Sequence, residues 1–236
     1  MVYYYVMKTI FIQLKKNITS LLWTALIAFF SFQMLMIVLP YTSWEWDVDF
    51  LITKQHIIHL DYYRIAFYSH VFSSVIVLLS GAILFSGFVL LKMPKLHRFV
   101  GKTYVFLLLL ISAPSGMVMA FYANGGWMAQ LSFLLLTPLW WWFTYQGYRT
   151  ARQQKFKAHK KWMVRSYALT FSAITLRVAQ MILGSFFYLD TEVQYILVSW
   201  GSWILNLAVV ELWMFWKLNS NKNRKKTLSF SFENFL

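Results

Sequence analysis

Apolar runs long enough to cross a bilayer alternate along this chain with short charged segments. Crossing ~30 Å of hydrocarbon takes roughly 20 helical residues. Six such runs are readable, at about 20–39, 66–91, 103–123, 127–148, 162–189 and 194–216. Pro40 stops the first run, Pro114 predicts a kink in the third, and Asn124, Gly125 and Gly126 make a tight turn before the fourth. The pattern predicts an all-α, six-span membrane bundle over 20–217. An interfacial segment (1–19) precedes it and a basic, poorly ordered tail (218–236) follows. A cleaved signal peptide is not expected, because the first apolar run is long and lacks an A-x-A-like site.

The fifth run is the one with internal polar order. In HKKWMVRSYALTFSAITLRVAQMILG (159–184), Ser166, Thr170, Ala173, Arg177, Gln180 and Gly184 recur at steps of four and three, so they share one helix face. The rest of its surface is apolar. Lipid cannot solvate Arg177, so this seam is expected to face other helices or a wet cavity. In the second run His70, Ser74, Val77 and Gly81 share a face, and Ser202, Asn206 and Glu211 punctuate the sixth.

Charge fixes the expected orientation. Segments 1–19, 92–102, 149–161 and 217–236 are almost exclusively basic. The alternate segments carry two basic residues (Lys54, Arg64) and six acidic ones (Glu45, Asp47, Asp49, Asp61, Asp190, Glu192). The positive-inside rule then places both termini in the cytoplasm, in an inner membrane, with Trp44, Trp46, Tyr62 and Tyr63 in an outer aromatic belt. Only 13% of the 236 residues are charged and 59% are hydrophobic, against roughly a quarter charged in a soluble domain. The net charge of +14 is therefore read as loop bias toward anionic lipid, not as a nucleic-acid face. The chain has no cysteine, which excludes disulfides, thiolate metal sites and cysteine nucleophiles.

His70, Gly81, HRFVGKTY (97–104), SG (115–116), the aromatics around Trp141 and HKKWMVRSYALTFSAITLR (159–177) together form a pattern. It resembles the bacterial membrane-protein family named domain of unknown function 2306 (DUF2306), over roughly 66–190. Lys160 stands where arginine commonly follows that histidine, which keeps the charge and loses the guanidinium fork. The resemblance implies a multi-pass membrane fold and marks these residues. It implies no reaction.

Three readings of the marked residues are open. First, His97 and His159 start helices at the same cytoplasmic depth, and imidazole is the common haem and metal ligand. With His70 they are candidate ligands of haem b, Arg98, Arg165 or Arg177 facing its propionates. Gly81 and the small residues 112–116 would admit a flat macrocycle, and Met117, Met119 or Met181 would supply a sixth ligand. The layout is loosely similar to cytochrome b561 bundles, which place four histidines inside consecutive spans, whereas here only His70 lies clearly within one. Second, the Arg177 seam would receive a polar or anionic solute in a small transporter. His70, one turn inside its span, and Arg177, ~22 Å from the cytoplasmic end at 1.5 Å per residue, fall at similar depth. Third, the chain is a non-catalytic assembly or scaffold protein whose His97-Arg98 and His159-Lys160 pairs bind lipid phosphates. His56, His59, Asp61 and His70 form a further candidate zinc or copper cluster. The Trp140–Trp142 run is core, belt, or a cofactor wall. Arg165 and Glu211 are expected to pair, because an unpaired charge at that depth is costly. No P-loop, H-E-x-x-H, G-x-S-x-G or dinucleotide fingerprint is present, so soluble-type catalysis is not expected.

Overall fold

The computed structural model of the chain describes Ile18, Leu21, Leu22 and residues 24–233, with side chains to Leu218. The expected N-terminal interfacial segment falls outside the described residues, apart from Ile18. The described chain is helical, with no strand. Helix α1 spans Thr24–Ser43 and ends in a 3-10 turn around Pro40. An outer connection carrying the 3-10 helix Asp49–Lys54 leads to α2, Asp61–Leu84, then the short α3, Gly87–Lys92. Helix α4 is Pro94–Ala120, α5 is Gly126–Arg152, α6 is Phe156–Phe186 and α7 is Thr191–Glu233. Among the described residues, five helices (α1, α2, α4, α6 and α7) are long and apolar enough to cross a membrane. Helix α5, with 27 residues, is as long, but its tryptophans, tyrosines and polar residues make it less apolar.

Several boundaries differ from the apolar pattern, each for a local reason. The second apolar run is not one helix. Its α-helix ends at Leu84, where the Phe85 N–H bonds the Gly81 carbonyl, and Ser86 caps α3 by accepting from the Val89 N–H. Helices α2, α4 and α6 begin earlier than their apolar runs, at Asp61, Pro94 and Phe156. Charged first turns are tolerated there, and Pro94 suits a first-turn position. Helix α7 continues to Glu233, so the segment read as a poorly ordered tail is helical as far as it is described.

Pro114 does not simply bend α4. Leu108–Ser112 is a π turn immediately before it. A proline has no N–H to return to the preceding turn, and a π turn widens the ladder, so carbonyls are freed that lipid cannot satisfy. Trp141 Nε1 takes the one opposite Pro114, donating to the Leu109 carbonyl at 3.2 Å. Side chains add bonds to the next carbonyls, Ser115 Oγ donating to Ile111 at 2.5 Å and His70 Nδ1 to Ser112 at 2.8 Å.

Two buried clusters hold the bundle. The inner one joins Val77, Leu78, Tyr104, Leu108, Trp140, Tyr167 and Leu169; the outer one joins Tyr41, Leu51, Ile58, Tyr63 and Phe67 under the connection after α1. Lys54 pins that connection to the α4–α5 turn, its Nζ donating to the Tyr122 carbonyl and to Asn124 Oδ1. Burial pushes the Lys54 ammonium down to about 8.

Candidate functional site

A cavity of about 1450 Å³ opens between the two clusters, larger than the roughly 300–1,000 Å³ of ordinary small-molecule sites. Its wall takes Tyr41 and Phe67 from the outer cluster and Met34, Leu78, Trp140 and Leu169 from the inner one. Asp49, Asn124, Asp190 and Glu192 stand at its mouth, the end of the bundle with acidic connections. The polar seam of α6 supplies Thr170, Ala173, Arg177 and Gln180 to the wall.

Arg177 and His70 meet here at one level. Asp61 to His70 and Arg177 to Phe186 are each nine residues, about 13 Å below the outer ends of their helices. The early starts of α2 and α6 correct the depths expected from the apolar runs. His70 is two and a half turns inside its helix, not one, and Arg177 is about 32 Å from the basic end. The Arg177 guanidinium is accessible although it lies deep in α6, because the surface it presents is cavity wall. Its Nη1 donates to the Ala173 carbonyl one turn below at 3.3 Å, and it has no carboxylate partner among the described residues. The phenols of Tyr41 and Tyr195 stand within electrostatic reach of it.

His70 is held in one tautomer. The Ser112 carbonyl can only accept, so Nδ1 carries the hydrogen and Nε2 is left with a lone pair. Ser74 Oγ lies 3.4 Å from Nε2 on the cavity side. A Cβ on Gly116 would stand 2.9 Å from the imidazole, so the ring lies directly on that glycine. At Gly116 the backbone is thus covered by His70. Gly81 is covered likewise: a Cβ there would stand 2.0 Å from the Tyr167 ring, whose hydroxyl donates to the Leu78 carbonyl at 2.9 Å.

Beneath the cavity lies a buried hydroxyl network. Tyr104 Oη meets Ser166 Oγ at 2.8 Å and Thr170 Oγ1 at 2.9 Å, Trp140 Nε1 donates to Thr170 Oγ1 at 2.9 Å, and Thr144 Oγ1 meets Ser166 Oγ at 2.6 Å. The lower seam residues and Trp140 therefore bind α4, α5 and α6 to one another. Trp142 is exposed.

His97 and His159 lie near the basic ends of α4 and α6, away from His70. His159 Nδ1 donates to the Gly147 carbonyl at 2.8 Å, and the buried His97 Nδ1 has no hydrogen-bond partner among the described residues. Arg98 is exposed and its Nε donates to the Pro94 carbonyl in its own helix. Of the methionines named as sixth ligands, Met119 lines the cavity, Met117 does not, and Met181 is exposed. His56 and His59 sit in a turn rather than on a helix face. Among the described residues no group of three or more histidines and carboxylates is placed to hold a metal ion, which corrects the expected outer cluster. Arg165 and Glu211 form a bidentate salt bridge, with Nη2 to Oε2 at 2.8 Å and Nε to Oε1, and the guanidinium lies 5.0 Å from the Trp162 ring centroid.

The model of the family described as predicted membrane protein (DUF2306) matches residues 67–214. The chain belongs to that family. The matched region holds His70, Ser112, Gly116, Arg165, Arg177 and Glu211; α1 and the outer connection, which complete the cavity wall, precede it. No curated protein and no solved structure matches the chain. The family is thus a multi-helix membrane protein in this chain, and its functional reading rests on the site itself. Two features escaped the sequence pattern. One is the π turn that seats His70, and the other is the contribution of α1 to the wall. SAPSG was a signal for the first, since a proline flanked by small residues marks freed carbonyls. Nothing in the sequence of α1 pointed to the second.

Proposed function

We propose that this chain is a six-span protein of the cytoplasmic (inner) membrane that binds a small polar or anionic molecule in a cavity reached from the outer side. It would act as a solute carrier or receptor, with Arg177 as the charge partner of the ligand and His70 as a neutral hydrogen-bond acceptor. The observation that carries this reading is the Arg177 guanidinium, which lines the cavity with only its own helix carbonyl as hydrogen-bond partner among the described residues. An arginine within a span costs about 2.5–3.5 kcal/mol on insertion scales and marks a site by default. The length of α5, about 40 Å at 1.5 Å per residue, supports its being the sixth span. The basic segments 92–102 and 149–161 support the cytoplasmic assignment of their end and attraction to anionic lipid there. Thermal unfolding of the purified protein against a panel of organic and inorganic anions tests the site. Stabilisation by one class that disappears in Arg177→Met supports it, and no response to any anion overturns it.

A second reading, haem b in the same cavity, is favoured by one feature. His70 lines the cavity and binds a carbonyl through Nδ1, which leaves Nε2, 3.4 Å from Ser74 Oγ, with its lone pair, the tautomer of a metal-ligating histidine. His70 would hold such a group, Arg177 would face a propionate and Met34 or Met119 would flank it, while His97 and His159 would take no part. Haem would supply electron transfer. Absorption spectra of oxidised and dithionite-reduced protein test it: a Soret band lost in His70→Ala supports it, and a featureless spectrum unchanged by haemin overturns it.

A further inference from the structure

We infer that the ligand of the Arg177 cavity is an amphiphile, with one anionic headgroup on an apolar body, the headgroup at Arg177 and the body running down toward Leu169. This rests on the reading that the cavity is a ligand site. The argument comes from how polarity changes with depth. The mouth carries three carboxylates, Asp49, Asp190 and Glu192. About 13 Å below the outer end of α6 stands Arg177, the sole arginine or lysine among the described wall residues. Deeper still the wall is mainly apolar, with Met34, Leu78, Leu136 and Leu169, and carries no further charge among the described residues; Gln33, Ser74, Thr137, Thr170 and Ser172 are its polar members.

Polar side chains at the floor are largely engaged by the protein itself, Gln33 aside. Trp140 Nε1 donates to Thr170 Oγ1, Thr137 Oγ1 donates to the Phe133 carbonyl, and Ser172 Oγ donates to the Leu169 carbonyl. A small hydrophilic ion at Arg177 would leave this floor facing water, whereas an apolar body would remove it from water. Charge selects in the same direction. A polyvalent anion would pass three carboxylates to reach one guanidinium, and a monoanion meets the least repulsion. The guanidinium fork fits both oxygens of a carboxylate or a phosphodiester. Headgroup outward and body toward the membrane centre is also how an outer-leaflet lipid lies, so such a molecule enters without turning over. Two sources carry this chemistry: a free fatty-acid carboxylate and the phosphodiester of a glycerolipid.

The test is binding of tritiated oleate to the full chain in phosphatidylcholine nanodiscs, read by scintillation proximity, with unlabelled competitors. Saturable binding is expected, with oleyl alcohol and acetate each competing at least ~10-fold more weakly than oleate, and Arg177→Met weakening oleate by about 10- to 100-fold, the range of one charge-assisted pair. Arg177→Lys, which keeps charge and loses the fork, falls between. Competition by phosphatidylglycerol as strong as by oleate assigns the phosphodiester source, and its absence assigns the free acid. Equal competition by oleate and oleyl alcohol overturns the inference, and this wild-type comparison holds even if Arg177→Met fails to fold. No oleate or phosphatidylglycerol binding, with acetate or inorganic phosphate still stabilising the wild type through Arg177, overturns the amphiphile and leaves the cavity reading standing. No anion of any kind binding overturns both.

Discussion

Tyr167 lies so close on Gly81 that Gly81→Ala is a test of the whole inner core. The added methyl would stand 2.0 Å from the Tyr167 ring, whereas carbon contacts settle at about 3.5–4.0 Å. The ring must therefore retreat by about 1.5–2 Å. It has little room, because Phe85 and Phe171 pack against it with ring centroids 4.9 and 6.5 Å away. Retreat also breaks the bond from the Tyr167 hydroxyl to the Leu78 carbonyl, a buried pair. Overpacking costs about 1–3 kcal/mol and the lost hydrogen bond about 1. Alanine recovers up to about 1 kcal/mol of helix propensity, so the net loss is about 1–3 kcal/mol. In a chain of this size that lowers Tm by roughly 2–12 °C. The assay is thermal unfolding of detergent-purified protein for wild type, Gly81→Ala, Tyr167→Ala and the double variant. In the Tyr167→Ala background the three atoms nearest the added methyl are gone, and Gly81→Ala should cost much less than in the wild type. An equal cost in both backgrounds, or no cost in the wild type, would refute the contact.

Lys54 gives a pH signature. Its ammonium is pushed down to about 8 from 10.5 by burial, so the unfolded chain holds the proton more tightly and stability rises with pH between those values. The rise is bounded at about 3 kcal/mol; Tm of wild type should climb relative to Lys54→Met from pH 8 to 10, and parallel curves would contradict the shift. Breaking the Arg165–Glu211 bridge with Glu211→Ala should cost about 2–4 kcal/mol in SDS titration, while Arg165→Met with Glu211→Met should recover most of it; a double variant as unstable as the single would mean the charges are not paired. The chain lacks cysteine, so Trp46→Cys and Gln154→Cys report topology without background. In intact cells an impermeant maleimide should label position 46 and spare 154, and the reverse would invert the orientation.

The helical membrane architecture was legible because each span must bury its backbone within itself, leaving an uninterrupted apolar run as its trace. Arg177 was legible for the same reason, since a guanidinium inside such a run needs somewhere wet to go. The meeting of His70 with the Ser112 carbonyl was not, because it depends on how α2 lies against α4 and on the backbone path through the π turn, which residue pattern does not record. The three histidines looked like one set by residue type. Distance along their helices separates them, since two belong to the basic ends and one lies about 13 Å below the acidic end. The wall from α1 is a tertiary fact: nothing in Met34 or Tyr41 distinguishes a residue facing a void from one facing lipid.

The π turn at Leu108–Ser112 also acts as a phase shifter. An α-helix advances about 100° per residue, so one extra residue in a turn offsets everything beyond it by that angle. Before the turn, Tyr104 is aimed at Ser166 and Thr170 of α6; after it, Ser112 and Gly116 are aimed at His70 of α2. Both halves of α4 pack along α2, and the offset lets the same helix send Tyr104 across to α6 while it presents the Ser112 carbonyl and Gly116 to His70. Deleting Leu110 would merge the two settings into one continuous register and turn either Tyr104 or the Ser112–Gly116 edge away from its contacts, although Tyr104, Ser112, Gly116 and His70 would all still be present in the chain.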